Sequence, residues 1–208
     1  MPRRNSPRSD NLRRALAQEA ARLMSEHGIQ DFRAAKRKAA ERLGVGVEGA
    51  LPSNAEVEAS LLEYQRLFAA DTHGVTLQAQ RRAALRAMQS LAVFSPRLVG
   101  PVLNGTATAH TDVQLHLFAD RPEAVALNLL DRGVGHDVGE HRLRLDAERY
   151  QVFPSVRFDL DDHVIDATVF PVDGIRQSPV SPVDGRPMKR ADTAELEALL
   201  SADAAPGR

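Results

Sequence analysis

The chain contains neither cysteine nor tryptophan. Without cysteine there is no disulfide staple, no thiolate zinc site and no sulfur nucleophile. Aromatic residues are only 4% of the total, which leaves no stacking platform of the kind single-strand nucleic-acid binders use. Neither charge is in excess: 27 basic against 28 acidic side chains leave a net charge of -1, so attraction to a polyanion has to come from a local patch. No run approaches the roughly 18 apolar residues of a membrane span. The first ten residues carry three arginines and two prolines and lack the apolar segment of a secretory signal. A cytoplasmic protein without a membrane partner is the expectation. There is no Gly-x-Ser-x-Gly elbow, His-Glu-x-x-His helix, P-loop or dinucleotide fingerprint, and hydrolase and dehydrogenase chemistry have no residues to stand on. Asp71-Thr72-His73-Gly74-Val75-Thr76 has the look of a phosphate loop but holds Val75 where such a loop needs lysine.

The first part of the 208-residue chain reads as helices. Leu12, Leu16, Ala20 and Leu23 recur at helical spacing between the possible caps Ser9 and Asp10 and the stop Gly28. Asp31 is positioned to cap a second helix with Phe32, Ala35, Ala39 and Leu43 on one face. The opposite face carries Arg33, Lys36, Arg37, Lys38 and Arg42, the best candidate for an RNA contact. After a glycine-rich loop from Val45 to Pro52, Ser53 and Glu56 form a capping box ahead of Val57, Leu61, Tyr64, Leu67 and Phe68. A fourth helix is predicted from Thr76 to Val93, ended by Ser95-Pro96.

From there the rhythm changes to alternation. Arg97–Leu103, Asp112–Phe118, Arg142–Leu145, Tyr150–Leu160 and His163–Phe170 read as strands, with a helix from Asp120 to Leu130 and a tight Asp161-Asp162 turn. Pro171-Val172-Asp173-Gly174 and Pro182-Val183-Asp184-Gly185 repeat one turn-forming tetrapeptide. A last helix, capped by Asp192 or Thr193, carries Leu196, Leu199 and Leu200. The expected fold is α+β and sandwich-like, a mixed sheet with flanking helices over residues 73–208 behind a helical region at 1–72.

The distinctive stretch runs from Leu98 to Leu115: an apolar strand, Gly100, Gly105, Thr111-Asp112, then Val113-Gln114-Leu115. It resembles, without a gap, the signature of minimal nucleotidyltransferases of the DNA polymerase beta superfamily. In that signature an apolar strand leads into Gly-Ser, then a second glycine, then a serine followed by two aspartates one residue apart. Gly100 and Gly105 fall on the glycines, Thr111 on the serine and Asp112 on the first aspartate. Asp166 stands on a later strand where the family has a third carboxylate. Pro101 replaces the serine and Gln114 the second aspartate.

The resemblance implies transfer of a nucleoside monophosphate from an NTP to an acceptor, with Mg²⁺ or Mn²⁺ held by Asp112 and Asp166. It also implies Gln114 as a weak third ligand, and Gly100, Gly105, Thr106 and Thr111 around the triphosphate. Carboxylates two apart on a strand share one face, and hard oxygens hold Mg²⁺. Asp112, Gln114 and His116 therefore line one side while Val113, Leu115 and Leu117 face a core. Arg142, Arg144, Arg149 and Arg157 alternate with apolar residues and are candidates to line a phosphate groove, Arg157 foremost. His116, Asp112 and His163 form an alternative metal set suited to zinc or manganese. Loss of one carboxylate charge makes a second role equally natural: a catalytically silent nucleotide-binding or partner-binding module with the N-terminal helices as docking surface.

Overall fold

The computed structural model describes residues 7–46, 51–146 and 148–204. The chain divides into two compact units, one of Met1–Gly74 with Thr108–Thr111 and Pro182–Asp184, the other of Val75–Ala107, Asp112–Ser181 and Gly185–Arg208.

In the first unit, helices α1 (Pro7–His27), α2 (Phe32–Arg42) and α3 (Asn54–Phe68) pack through small residues. Ala17, Ala20, Ala35, Ala39 and Ala40 are all buried beside Leu16, Leu23, Met24 and Val57. Alanine on the contact faces lets the helices approach closely, and larger side chains fill the gaps between them. The caps fall where the sequence put them. Asp31 accepts the Ala34 amide at 2.7 Å, and Ser53 and Glu56 make the reciprocal box. Leu43, expected on the buried face of α2, is instead exposed at the C-cap, and Ala40 takes its place. Residues 47–50 of the glycine-rich loop lie outside the described residues.

Helix α4 (Ala70–Ser90) starts six residues before the position expected from the apolar stripe. Asp71 to Thr76 are thus helical backbone and form no phosphate loop. A 3-10 turn over Ala92–Phe94 follows, and Ser95 at φ +47° breaks the direction before the first strand.

The second unit is α+β, a five-stranded mixed sheet flanked by helices. Its strands are β1 (Arg97–Val99), β2 (Val113–Phe118), β3 (His136–Arg144), β4 (Tyr150–Leu160) and β5 (His163–Phe170), in the order β1-β2-β5-β4-β3. Only β2 and β5 run parallel. Asp161 and Asp162, at φ +50° and +62°, supply the two left-handed residues of a tight hairpin between β4 and β5. The strand expected over residues 97–103 ends at Val99, because Gly100 turns the chain at φ +71° into the one-turn helix α5 (Gly100–Asn104) with Pro101 in its first turn. β3 begins six residues earlier than the apolar pattern suggests.

One face of the sheet is the core. Leu98, Val113, Leu115, Leu117, Val156, Phe158, Ile165, Ala167 and Val169 are buried against α4 and α6 (Glu123–Asp131), with Leu196 of α7 (Thr193–Ala204). Helix α7 opens with a reciprocal cap between Asp192 and Glu195. It is tethered by the Ala191–Leu98 backbone pair. On the other face, Phe118, Phe153 and Phe170 form a small cluster under Ile175 of the 3-10 turn Val172–Arg176. The first copy of the repeated tetrapeptide enters that turn, and the second lies within the hairpin bridged by Val180 and Pro187. Among the described residues no helix is long and apolar enough to cross a membrane.

Candidate functional site

The sheet alternates strictly, so register decides which side chains meet. Gln114 on β2 lies opposite Asp166 on β5, and Asp166 lies opposite Arg157 on β4. Asp112 precedes β2 by one residue and shares the Gln114 side. Asp112, Gln114, Asp166 and Arg157 therefore share the sheet face opposite to the main core. That face is closed by phenylalanines at one end and polar at the other.

Each carboxylate there already has a basic side chain as partner. Arg157 reaches across β5, its Nη2 3.0 Å from Asp112 Oδ2, with Asp112 only 14% exposed and Arg157 51% exposed. Asp166 is 17% exposed and sits 3.3 Å from His141 Nε2. The His141 ring hydrogen-bonds the Thr168 hydroxyl at 2.9 Å through Nδ1. To get there from β3 it crosses β4. Hydrogen bonding to Asp166 is the largest influence on His141 and raises its pKa above the ordinary imidazole value, against the effect of burial.

The glycines do separate jobs. Gly100 opens α5 in the left-handed region, and a Cβ there would collide with Gln114 Oε1. Gly105 closes the same turn at φ +82°, where a Cβ would make only ordinary contacts with Arg81 and Leu77, so its need is conformational. The two glycines stand at opposite ends of α5. Thr106 is 5% exposed, and its amide donates to the Pro101 carbonyl. Thr111 falls in the first unit, where its hydroxyl accepts the Thr108 amide at 2.8 Å.

Several expected partners are elsewhere. His163 lies on the core side of β5, since it alternates with Asp166, so His116, Asp112 and His163 cannot join in one metal site. Arg142 and Arg144 alternate with Asp137 and His141 on β3 and face away from Asp166. Arg142 stacks on Tyr150 at 4.8 Å, and Arg149 pairs with Asp146. Of the four arginines proposed to line a groove, Arg157 alone stands beside the carboxylates. On α2, Lys36 is tied to Pro52 and Asn54, and Arg42 pairs with Glu19, which leaves Arg33, Arg37 and Lys38 exposed.

The donor set bears on a metal directly. Two carboxylates and a neutral amide oxygen are what a Mg²⁺ ion needs when it arrives with phosphate ligands, since Mg²⁺ commonly takes one or two carboxylates plus substrate oxygens. They fall short of a self-sufficient ion cage. Among the described residues no group of three His, Cys, Asp or Glu side chains is placed to hold an ion.

Farther along this face is a residue that sequence reasoning passed over. Arg190 donates from Nε to His116 Nδ1 at 3.0 Å and from Nη1 to the carbonyls of Gly174 and Ile175. Its guanidinium lies 5.0 Å and 5.1 Å from the rings of Phe118 and Phe170. Burial, then Arg190 and His141, pushes the pKa of His116 down to about 3, so the ring is neutral and, accepting at Nδ1, carries its proton on Nε2. No local pattern around Arg190 marks it.

Fold and site together describe a two-unit α+β protein with an ion-paired, polar sheet face. No protein-family model and no curated protein matches the chain.

Proposed function

We propose that the second unit binds a nucleoside triphosphate over the polar end of its sheet face and transfers the nucleoside monophosphate to an acceptor. The observation that carries this reading is the common face of Asp112, Gln114 and Asp166 beside the Gly100 turn. Asp112 and Asp166 would hold a divalent ion with Gln114 as a neutral oxygen ligand. Such an ion, when bound, neutralises developing charge on the phosphates. Arg157, half exposed and already over this face, is positioned to meet a phosphate oxygen. Gly100 lets the turn at the head of α5 pack directly against the Gln114 carboxamide.

The test uses purified protein with each labelled NTP, Mg²⁺ or Mn²⁺, and total RNA or protein extract. Label should pass to an acceptor, and Asp112→Ala should abolish the transfer. No transfer from any nucleotide, with the parent and Asp112→Ala alike, rejects catalysis.

One observation favours a second reading, a catalytically silent nucleotide-binding module that acts through a partner docked on the N-terminal helices. Each carboxylate already has a basic side chain as partner, and Gln114 adds no charge. Calorimetry separates the two readings: heat of NTP binding without turnover selects the silent module.

A further inference from the structure

One pleat along the sheet from Gln114 and Asp166, about 7 Å away at the usual strand rise, is a cationic group without an acid. Arg97 on the edge strand β1 is in register with His116 on β2, and His116 with Thr168 on β5. Arg190 is brought to the same place by the backbone pairing of Ala191 with Leu98. Among the described residues, neither Arg97 nor Arg190 has a carboxylate within ion-pair distance. Arg97 Nη1 donates to the carbonyls of Ser95 and Pro96. The two guanidiniums are close enough that Arg97, after burial, lowers the pKa of Arg190 to about 10.

The decisive atom is Arg190 Nη2. It is buried and, among the described residues, has no hydrogen-bond partner. The other nitrogens of this guanidinium are engaged by His116 and two carbonyls, and its central carbon lies over two neighbouring phenyl rings. A side chain clamped this firmly cannot swing out to satisfy the last N–H in water. Leaving a charged donor unpaired next to a second cation is costly, and the cost disappears when an anion completes the group. Arg97, only partly buried at the sheet edge, is the cation that an incoming anion meets first.

We propose that Arg190 and Arg97 form an oxyanion-binding site for a phosphate group, separate from the Asp112–Asp166 cleft. Guanidinium pairs suit such a ligand because their planar donors match its oxygens. The phosphate belongs either to the nucleotide or to an acidic acceptor. The site stands on the geometry of Arg190 and does not need nucleotidyl transfer.

Titration calorimetry and thermal unfolding with inorganic orthophosphate test it, on the parent, Arg97→Gln, Arg190→Lys and Asp112→Asn. Orthophosphate should bind the parent and raise its melting temperature. Arg97→Gln should weaken binding about tenfold or more, the loss of a hydrogen bond to a charged group, and Asp112→Asn should leave it unchanged. Should Arg190→Lys fail to fold, Arg97→Gln at the sheet edge still decides the matter. No orthophosphate binding to the parent, or equal binding by Arg97→Gln, overturns the proposal even if NTP binds at the cleft. An NTP affinity that falls with Arg97→Gln assigns the site to the nucleotide's own phosphates. An unchanged NTP affinity assigns it to the acceptor. Phosphate binding without NTP binding keeps this site and removes the transferase reading.

Discussion

His141 crosses a whole strand to reach Asp166, with Nε2 3.3 Å from Oδ2 and Nδ1 bonded to Thr168. The pair ties the edge strand β3 to β5 over the top of β4, and it holds one of the two carboxylates on which the proposed chemistry depends. Asp166→Asn should therefore lower the His141 pKa, which proton NMR of the imidazole follows directly. Because the folded pKa is raised, the contribution of His141 to stability is complete below the unfolded value of about 6.5 and is lost as pH rises through the folded one. An unchanged titration in Asp166→Asn would show that the contact has no energetic weight.

His116 has the opposite sign. Its folded pKa of about 3 lies below the unfolded value, so between roughly pH 6.5 and 3 the unfolded chain binds a proton that the native protein does not. Stability attributable to this group is full above that window and falls as pH drops through it, by up to about 1.4 kcal/mol per pH unit. His116→Gln keeps an acceptor for Arg190 Nε and removes the titration. Urea denaturation across the window should give a shallower pH slope than the parent by up to one proton.

Gly100 carries two separable demands. Gly100→Ala should cost about 1–2 kcal/mol for a left-handed non-glycine residue, plus the effort of moving Gln114 Oε1 off the new methyl group. In the double variant with Gln114→Ala the second cost vanishes and the first remains. A double-mutant cycle in denaturant is predicted to give a favourable coupling, and strict additivity would refute the close approach.

Arg157 separates ligand binding from folding. Its side chain is 51% exposed, so Arg157→Ala should change stability by less than about 1 kcal/mol. If Arg157 meets phosphate, the same variant should weaken NTP binding roughly tenfold or more. Calorimetry beside chemical denaturation checks both halves, and a large stability loss without a change in affinity would make Arg157 a structural residue.

Much of this was legible locally. The Asp31 cap, the Ser53–Glu56 box, the bounds of β4 and β5 and the Asp161-Asp162 turn follow from signals a few residues long, in which the backbone and a near neighbour complete each other. The misplaced elements failed for different reasons. β3 is largely exposed along its length, with burial confined to scattered positions, so it has no apolar rhythm to betray it. It exists because β4 pairs with it along its whole length, from Arg144 opposite Tyr150 to His136 opposite Phe158. β1 was overextended because Val102 and Leu103 are as apolar as a strand requires, whereas the φ of Gly100 made them a helical turn.

The candidate site divides along the same line. That Asp112 and Gln114 share a face follows from the two-residue period of any strand and needs no coordinates. That Asp166 and Arg157 join them, that His163 does not, and that Asp112 and Asp166 are each met by a basic side chain depend on the register of four strands. Register is settled by burying one face of the whole sheet at once, a collective free energy that no short stretch of sequence contains. Arg190 is the extreme case, since its clamp is assembled from β2, β5 and the turn after β5, and only the folded chain brings them together.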